Sequence, residues 1–151
     1  NYQKPRGVDT RPIRIFNTYG PRMAPNDGRV IPNFFTQALS GNGLSIYGDG
    51  KQTRSLCYVT DMVDGLIRLM ESEVSDPVNI GNTQEMTVLE IGDLINKMTG
   101  STTEHIYHEL PENDPKLRQP DTTRAKELLD WSAKVPPEEG LKETMIYFQS
   151  L

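Results

Sequence analysis

The sequence predicts an α/β domain of mixed strand and helix order, and three features carry that prediction. First, Arg11 to Asn17 is an extended run containing Ile13, Ile15 and Phe16. It ends in Asn17-Thr18, a Gly20-Pro21 turn and the cation Arg22. In α/β sheets, polar groups just beyond the carboxyl end of a strand form ligand sites. Second, several segments combine helical apolar spacing with start or stop signals. Third, short extended runs lie between them, bounded by Gly, Pro, Asn and Asp. The 151 residues suffice for about one domain with a real core.

In chain order, Arg11 to Asn17 reads as a strand and Gly20 to Gly28 as a loop. Val30 to Leu39 reads as a helix. Pro32 falls in its first turn, where a missing N–H costs little, and Gly41 and Gly43 end it. Leu44 to Tyr47 is a short strand, Gly48-Asp49-Gly50 a turn, and Arg54 to Val59 extended again. Thr60 or Asp61 is expected to cap a helix to Glu71, with Met62, Val63, Leu66, Ile67 and Met70 as its core stripe. Val78 to Gly81 reads as a buried strand and turn. Thr87-Val88-Leu89-Glu90 is a capping-box pattern; it opens a helix with Val88, Ile91, Leu94, Ile95 and Met98 inside, stopped at Gly100. Glu104 to Glu109 is a strand and Leu110 to Pro120 a polar loop. Asp121 is expected to cap a short helix through Leu129. Pro136-Pro137 begins a last amphipathic helix carrying Leu141, Met145, Ile146 and Phe148.

Composition narrows the function classes. Hydrophobic residues make up 35% and charged ones 25%, an ordinary globular balance. The net charge of −5 argues against nucleic acid or an anionic membrane as the default partner, while leaving room for a local cationic pocket. Cys57 is the single cysteine, so an intramolecular disulfide and a cysteine-rich zinc site are both excluded; a small buried hydrophobe is the expectation. No apolar run approaches the ~20 residues of a membrane span, and Asn1 to Arg6 lacks a signal-peptide pattern. The cytoplasm is the expected compartment, with a Golgi or ER lumen as the alternative if an anchor has been removed.

The residues that could carry chemistry are mostly cations on loops. Arg22 and Arg29 flank the Pro25-Asn26-Asp27-Gly28 turn, Arg54 follows Gln52-Thr53, and Arg118 sits before Pro120-Asp121. Guanidinium forks match phosphate oxygens in pairs, so converging arginines suit a diphosphate. Spacing alone does not show convergence. His105 and His108, three apart on a strand, point to opposite faces, and no metal site is read. A G-x-G-x-x-G or G-x-x-G-x-x-G turn is absent. Tyr2, followed by Gln3 and Lys4, does not open a Tyr-x-x-x-Lys pair, and none is read in the chain.

Motifs run in order along the whole length: Arg14 to Met23, Asn26 to Ile31, Leu44 to Gly50, Gln52-Thr53-Arg54, Tyr58 to Asp61, Val78 to Asn82, Arg118 to Asp121, and Trp131 with Val135-Pro136. This series resembles the extended short-chain dehydrogenase/reductases that act on nucleotide sugars. The combination of Asn17 to Met23 with Asn26 to Val30 is similar to their UDP-glucuronate decarboxylase branch. The resemblance implies the C-terminal part of a NAD(P)-binding Rossmann-like protein, mainly its small mixed α/β substrate-binding domain. Residues 1–25 would be the last part of the Rossmann domain, and 26–151 the nucleotide-sugar domain.

The same resemblance implies roles. Asn17 would bond the sugar-diphosphate region, and Thr18 would line the nicotinamide end of NAD. Arg29 would stand where cofactor and nucleotide sugar meet. Val30 and Ile31 would open a helix facing the diphosphate, an arrangement that suits an anion on physical grounds too. Asn33 lies one turn further. Tyr47 and Gly48 would belong to a strand that reads uracil through backbone groups. Arg54 and Arg118 would hold the diphosphate, and Tyr2 would touch substrate. The catalytic tyrosine and its lysine are expected upstream, so the chain alone is expected to be inactive. Full length, a homodimer is implied; alone, an unpaired edge strand at Arg11–Asn17 invites strand-exchanged oligomers. The alternatives are a dTDP-glucose 4,6-dehydratase or UDP-hexose 4-epimerase segment, or a non-catalytic UDP-sugar-binding module.

Overall fold

Strand β1 (Ile13–Ile15) pairs in parallel with β6 (Val78–Ile80), Ile13 opposite Val78 and Ile15 opposite Ile80. The run predicted as one strand, Arg11 to Asn17, divides here. The Phe16 N–H still donates to the Ile80 carbonyl, at 3.1 Å, but the Asn17 carbonyl accepts the Cys57 N–H at 2.8 Å. The chain thus changes partners, and β2 (Thr18–Tyr19) pairs in parallel with β5 (Cys57–Tyr58). The computed structural model of the chain describes residues 7–110 and 118–151.

Helix α1 (Val30–Leu39) occupies the predicted span. Strand β3 (Leu44–Tyr47) pairs in parallel with β8 (His105–His108), and β4 (Thr53–Ser55) pairs antiparallel with β7 (Glu85–Thr87). Helices α2 (Val59–Glu71), α3 (Val88–Thr99), α4 (Thr123–Leu129) and α5 (Pro137–Gln149) complete the fold.

Two apolar clusters hold these elements. In one, Phe34 and Phe35 of α1 meet Leu44 and Ile46 of β3, Ile91 and Ile95 of α3, and Leu141 and Phe148 of α5. Phe35 and Phe148 stack with centroids 5.5 Å apart. Tyr19 is buried in this cluster, and its hydroxyl donates to the Pro137 carbonyl at 3.2 Å. A Cβ on Gly140 would lie 2.3 Å from that hydroxyl, so a glycine is what lets α5 approach so closely. The other cluster joins Cys57, Met62 and Leu69, Val78 and Ile80 of β6, and Leu129 with Trp131. Cys57 is the expected buried hydrophobe. Burial, and then the charge of Asp61, push its thiol up to about 12, so it stays protonated at neutral pH.

Helix α2 departs from the sequence expectation twice. Tyr58 is its N-cap and makes no side-chain cap bond. Asp61 instead turns inward, and one carboxylate oxygen accepts the Lys134 and Val135 N–H groups, each at 2.9 Å. The expected core stripe is also misplaced. Met62, Gly65 and Leu69 are the packed side, whereas Val63, Leu66, Ile67 and Met70 are 47%, 37%, 45% and 67% exposed. The helix is apolar on two sides, and periodicity alone does not say which side packs.

Helix α3 begins with the predicted capping box: Thr87 Oγ1 accepts the Glu90 N–H, and the Glu90 carboxylate accepts the Thr87 N–H at 2.7 Å. Gly100, at φ 68°, ends it. Thr122 is the N-cap of α4, and Asp121 one residue earlier accepts the Thr123 N–H at 2.9 Å. Hydrogen bonds from the backbone and then the side chain of Thr87 hold Glu90 below its ordinary value of 4.5; those of Thr123 hold Asp121 below 3.8. A carboxylate depressed in the folded state stabilises it above the unfolded pKa and loses that contribution as pH falls through the folded one. The melting temperature is therefore expected to fall between about pH 5 and pH 3. A flat profile across that range in a thermal scan would contradict these caps.

Candidate functional site

The switch of strand partners at Phe16–Asn17 leaves Asn17 and Thr18 beyond the carboxyl end of β1, as α/β topology favours for a ligand site. They line a pocket of about 470 Å³, within the usual range for small-molecule sites. Arg29, Val30, Ile31 and Asn33 enter it from the start of α1, Tyr47 from β3, Arg54 from β4, and Arg118 from its loop. Spacing alone leaves convergence open; in the structure Arg29, Arg54 and Arg118 line one pocket. Among the described lining residues none is acidic, although the whole chain carries −5.

Each group has a definite local arrangement. The Asn17 backbone carbonyl is taken by Cys57, and its side-chain amide has no partner among the described residues. Thr18 Oγ1 donates to the Phe16 carbonyl at 2.8 Å. Arg29 is the N-cap of α1 in extended conformation, no side chain caps the helix, and no acidic residue occupies its first turn. The free amides and the helix dipole at such a terminus favour an anion. Asn33 is turned back, its amide donating to the Gly28 carbonyl at 3.2 Å. Arg54 is partly buried and donates from Nη1 to the Thr53 carbonyl at 2.8 Å. Arg118 is exposed.

Of the expected base-reading pair, Tyr47 and Gly48, only Tyr47 lines the pocket. Gly48 is not among the lining residues; its N–H donates to the His108 carbonyl at 2.9 Å, and the Tyr47 carbonyl accepts the Gln52 amide at 2.8 Å. One backbone donor and one acceptor of this pair are thus engaged within the fold. The Tyr47 ring is 45% exposed and lies 5.3 Å from the His108 ring, centroid to centroid. Tyr2 lies outside the described residues.

The Tyr-x-x-x-Lys spacing occurs once after all, at Tyr47 and Lys51. The two are joined by a turn with Gly48 at φ 64° and Gly50 at φ 70°, not by a helix, and Lys51 is 79% exposed, 3.7 Å from Asp49. The turn does not set the two side chains on one helix face. Sequence reasoning also missed lining residues. Gln52 is one; its place beside Arg54 in the Gln52-Thr53-Arg54 motif was the available signal. Met23, Phe34, Leu56 and Val88 supply the apolar walls, and only the tertiary fold brings them together.

A model of the NAD dependent epimerase/dehydratase family matches residues 1–81. The chain belongs to that family. Among similar proteins, it is 50% identical over 148 residues to UDP-glucuronic acid decarboxylase 1 of Xenopus tropicalis, covering 98% of this chain and 35% of that protein. It is 52% identical over 149 residues to the Danio rerio protein of the same name, covering 97% and 35%. The fold matches UDP-glucose 4-epimerase from Thermotoga maritima, solved with UDP-glucose, with a TM-score of 0.94 and 34% identity over 99% of this chain and 48% of that one. UDP-glucuronic acid 4-epimerase from Bacillus cereus, solved with UDP-glucuronic acid and NAD, matches with a TM-score of 0.91, 27% identity, 99% and 48%. The chain therefore spans about a third of the curated relatives' length and about half of the solved structures'.

Proposed function

We propose that this chain forms the nucleotide-sugar site of a UDP-glucuronate decarboxylase. The observation that carries the reading is one pocket that gathers Arg29, Arg54 and Arg118 at an uncapped helix start, with no carboxylate among its described lining. About half identity to proteins named UDP-glucuronic acid decarboxylase supports the choice of sugar. Residues 1–25 are read as the end of a dinucleotide-binding domain and 26–151 as the substrate domain.

The residues present fit one end of NAD. Thr18 and Arg29 stand side by side at the pocket, with Arg29 Nη1 donating to the Thr18 carbonyl at 3.4 Å; Thr18 would line the nicotinamide end, and Arg29 would stand where cofactor and nucleotide sugar meet. NAD bound there would supply reversible hydride transfer at C4 of the glucuronate ring. A ketone at C4 makes the ring carboxylate a β-keto acid, which loses CO₂. The net change is UDP-glucuronate plus a proton to UDP-xylose plus CO₂, without net redox.

This chain's share is position and charge. Arg54, Arg118 and the α1 amides hold the diphosphate, and that remote binding fixes the sugar ring for reaction. Asn17 offers an unengaged amide to the sugar-diphosphate region. None of these groups is assigned a proton transfer, and the chain alone is proposed to bind without turnover.

The close fold match to 4-epimerases keeps one rival, epimerisation at C4. The gene product containing this chain, given UDP-glucuronate labelled at the carboxylate, is expected to release labelled CO₂. Conversion to an epimer with the label retained would reassign it.

A further inference from the structure

The Asn26-Asp27-Gly28-Arg29 turn holds a contact that the reading above does not use. Asp27 Oδ1 accepts the Arg29 backbone N–H at 2.9 Å, and Oδ2 accepts Arg29 Nε at 2.7 Å and Nη2 at 2.5 Å. Nη1 reaches the Thr18 carbonyl on the far side. The guanidinium is thus strapped between the turn before α1 and the end of the strand region carrying Asn17. The two partners differ in exposure: the Asp27 side chain is 19% exposed and that of Arg29 is 60% exposed. The carboxylate is the fixed post and the cation the presented group. Only Arg29 of the two lines the pocket.

We infer that Asp27 is a positioning residue, which aims Arg29 across the pocket mouth before a nucleotide sugar arrives; the inference rests on the reading of the pocket given above. A free arginine side chain carries about 2 kcal/mol of rotamer entropy, and a side chain already ordered loses less of it on binding. Coulomb attraction runs the other way, since an adjacent carboxylate weakens the pull of Arg29 on a distant anion. The pairing therefore suits short-range donation from a fixed direction rather than long-range attraction. Burial raises the Asp27 pKa, but the side-chain and then backbone hydrogen bonds from Arg29 outweigh it and hold the carboxyl below 3.8. The strap is charged throughout the neutral range.

Opposed effects make the test decisive. It uses the 151-residue chain with Asp27→Asn, Asp27→Glu, Arg29→Ala and the Asp27→Asn/Arg29→Ala pair, each verified as folded by its melting temperature. Phenylglyoxal modification of Arg29, followed by peptide mass spectrometry, needs no ligand. It is expected to be several-fold faster in Asp27→Asn and partly restored in Asp27→Glu. In calorimetric titration with UDP-glucuronate, Asp27→Asn is expected to bind about tenfold more weakly, with the double variant no weaker than Arg29→Ala. Equal modification rates in wild type and Asp27→Asn overturn the inference, as does Asp27→Asn binding as tightly as wild type or more so. If wild type takes up neither UDP nor UDP-glucuronate, the nucleotide-sugar reading falls, and the modification rates still decide whether Asp27 fixes Arg29.

Discussion

Trp131→Ala is expected to lower the melting temperature of the chain by roughly 10 °C or more, because removing a buried tryptophan costs about 3–5 kcal/mol. Trp131 is 1% exposed, within the cluster that joins α2, β6 and the end of α4. Its indole N–H donates to the Asp61 carbonyl at 3.0 Å. A Cβ on Gly65 would come within 3.1 Å of the indole and 2.7 Å of Ile80 Cγ2, so the helix lies directly against the ring, with no slack to refill a void. Just after Trp131, the Lys134 and Val135 N–H groups tie the same segment to the Asp61 carboxylate. Trp131→Phe keeps most of the packing and loses one hydrogen bond, so it is expected to cost less. Circular dichroism melts compare the two. A Trp131→Ala melting temperature within two or three degrees of wild type would contradict this account of the second core.

Arg54→Ala is expected to weaken UDP binding by about 10- to 100-fold, since hydrogen bonds to charged groups are worth about 1.5–3 kcal/mol each. Arg54 is the most favourably placed of the three pocket arginines, being partly buried on a strand. Arg118 is exposed. Solvent and salt screen an exposed cation more strongly, so Arg118→Ala is expected to cost only several-fold. Raising salt should weaken the Arg118 contribution first. Equal losses in the two variants, or none in Arg54→Ala, would contradict this ranking.

Local signals in the sequence were legible where the structure-forming interaction is itself local. The Thr87–Glu90 capping box, the Gly100 stop and the Pro137 start all lie within one turn of the ends that they mark, and α1 occupies its predicted span. What depended on distant partners was not legible. Strand β7 is three residues long and exists because β4, some 30 residues earlier, pairs with it. The division of Arg11 to Asn17 likewise follows from a change of neighbour, from β6 to β5. On α2, apolar residues occupy two sides, and only tertiary contact selects Met62 and Leu69 over Val63 and Ile67. Asp61 looks like a cap because caps are commonly Asp; its carboxylate serves a segment 73 residues away.

The candidate site divides in the same way. The cations were legible as residue types on loops, and the order of motifs gave them expected roles. Their meeting in one pocket is a property of the fold: β1, α1, β3, β4 and the Arg118 loop must all be placed before Arg29, Arg54 and Arg118 face a common space. Motif spacing without geometry also misleads. Tyr47 and Lys51 satisfy the Tyr-x-x-x-Lys pattern, yet they flank a glycine turn where the spacing has none of its helical meaning.

The central claim is that this pocket holds the diphosphate of a UDP-sugar. Calorimetric titration of the chain with UDP and then UDP-glucuronate, with Arg54→Ala and Arg118→Ala alongside, tests it most directly. The account predicts saturable binding of both ligands to wild type, lost or strongly reduced in Arg54→Ala and weakened in Arg118→Ala, with melting temperatures unchanged. A folded wild-type chain that binds neither ligand, or binds both with the arginines removed, would contradict it.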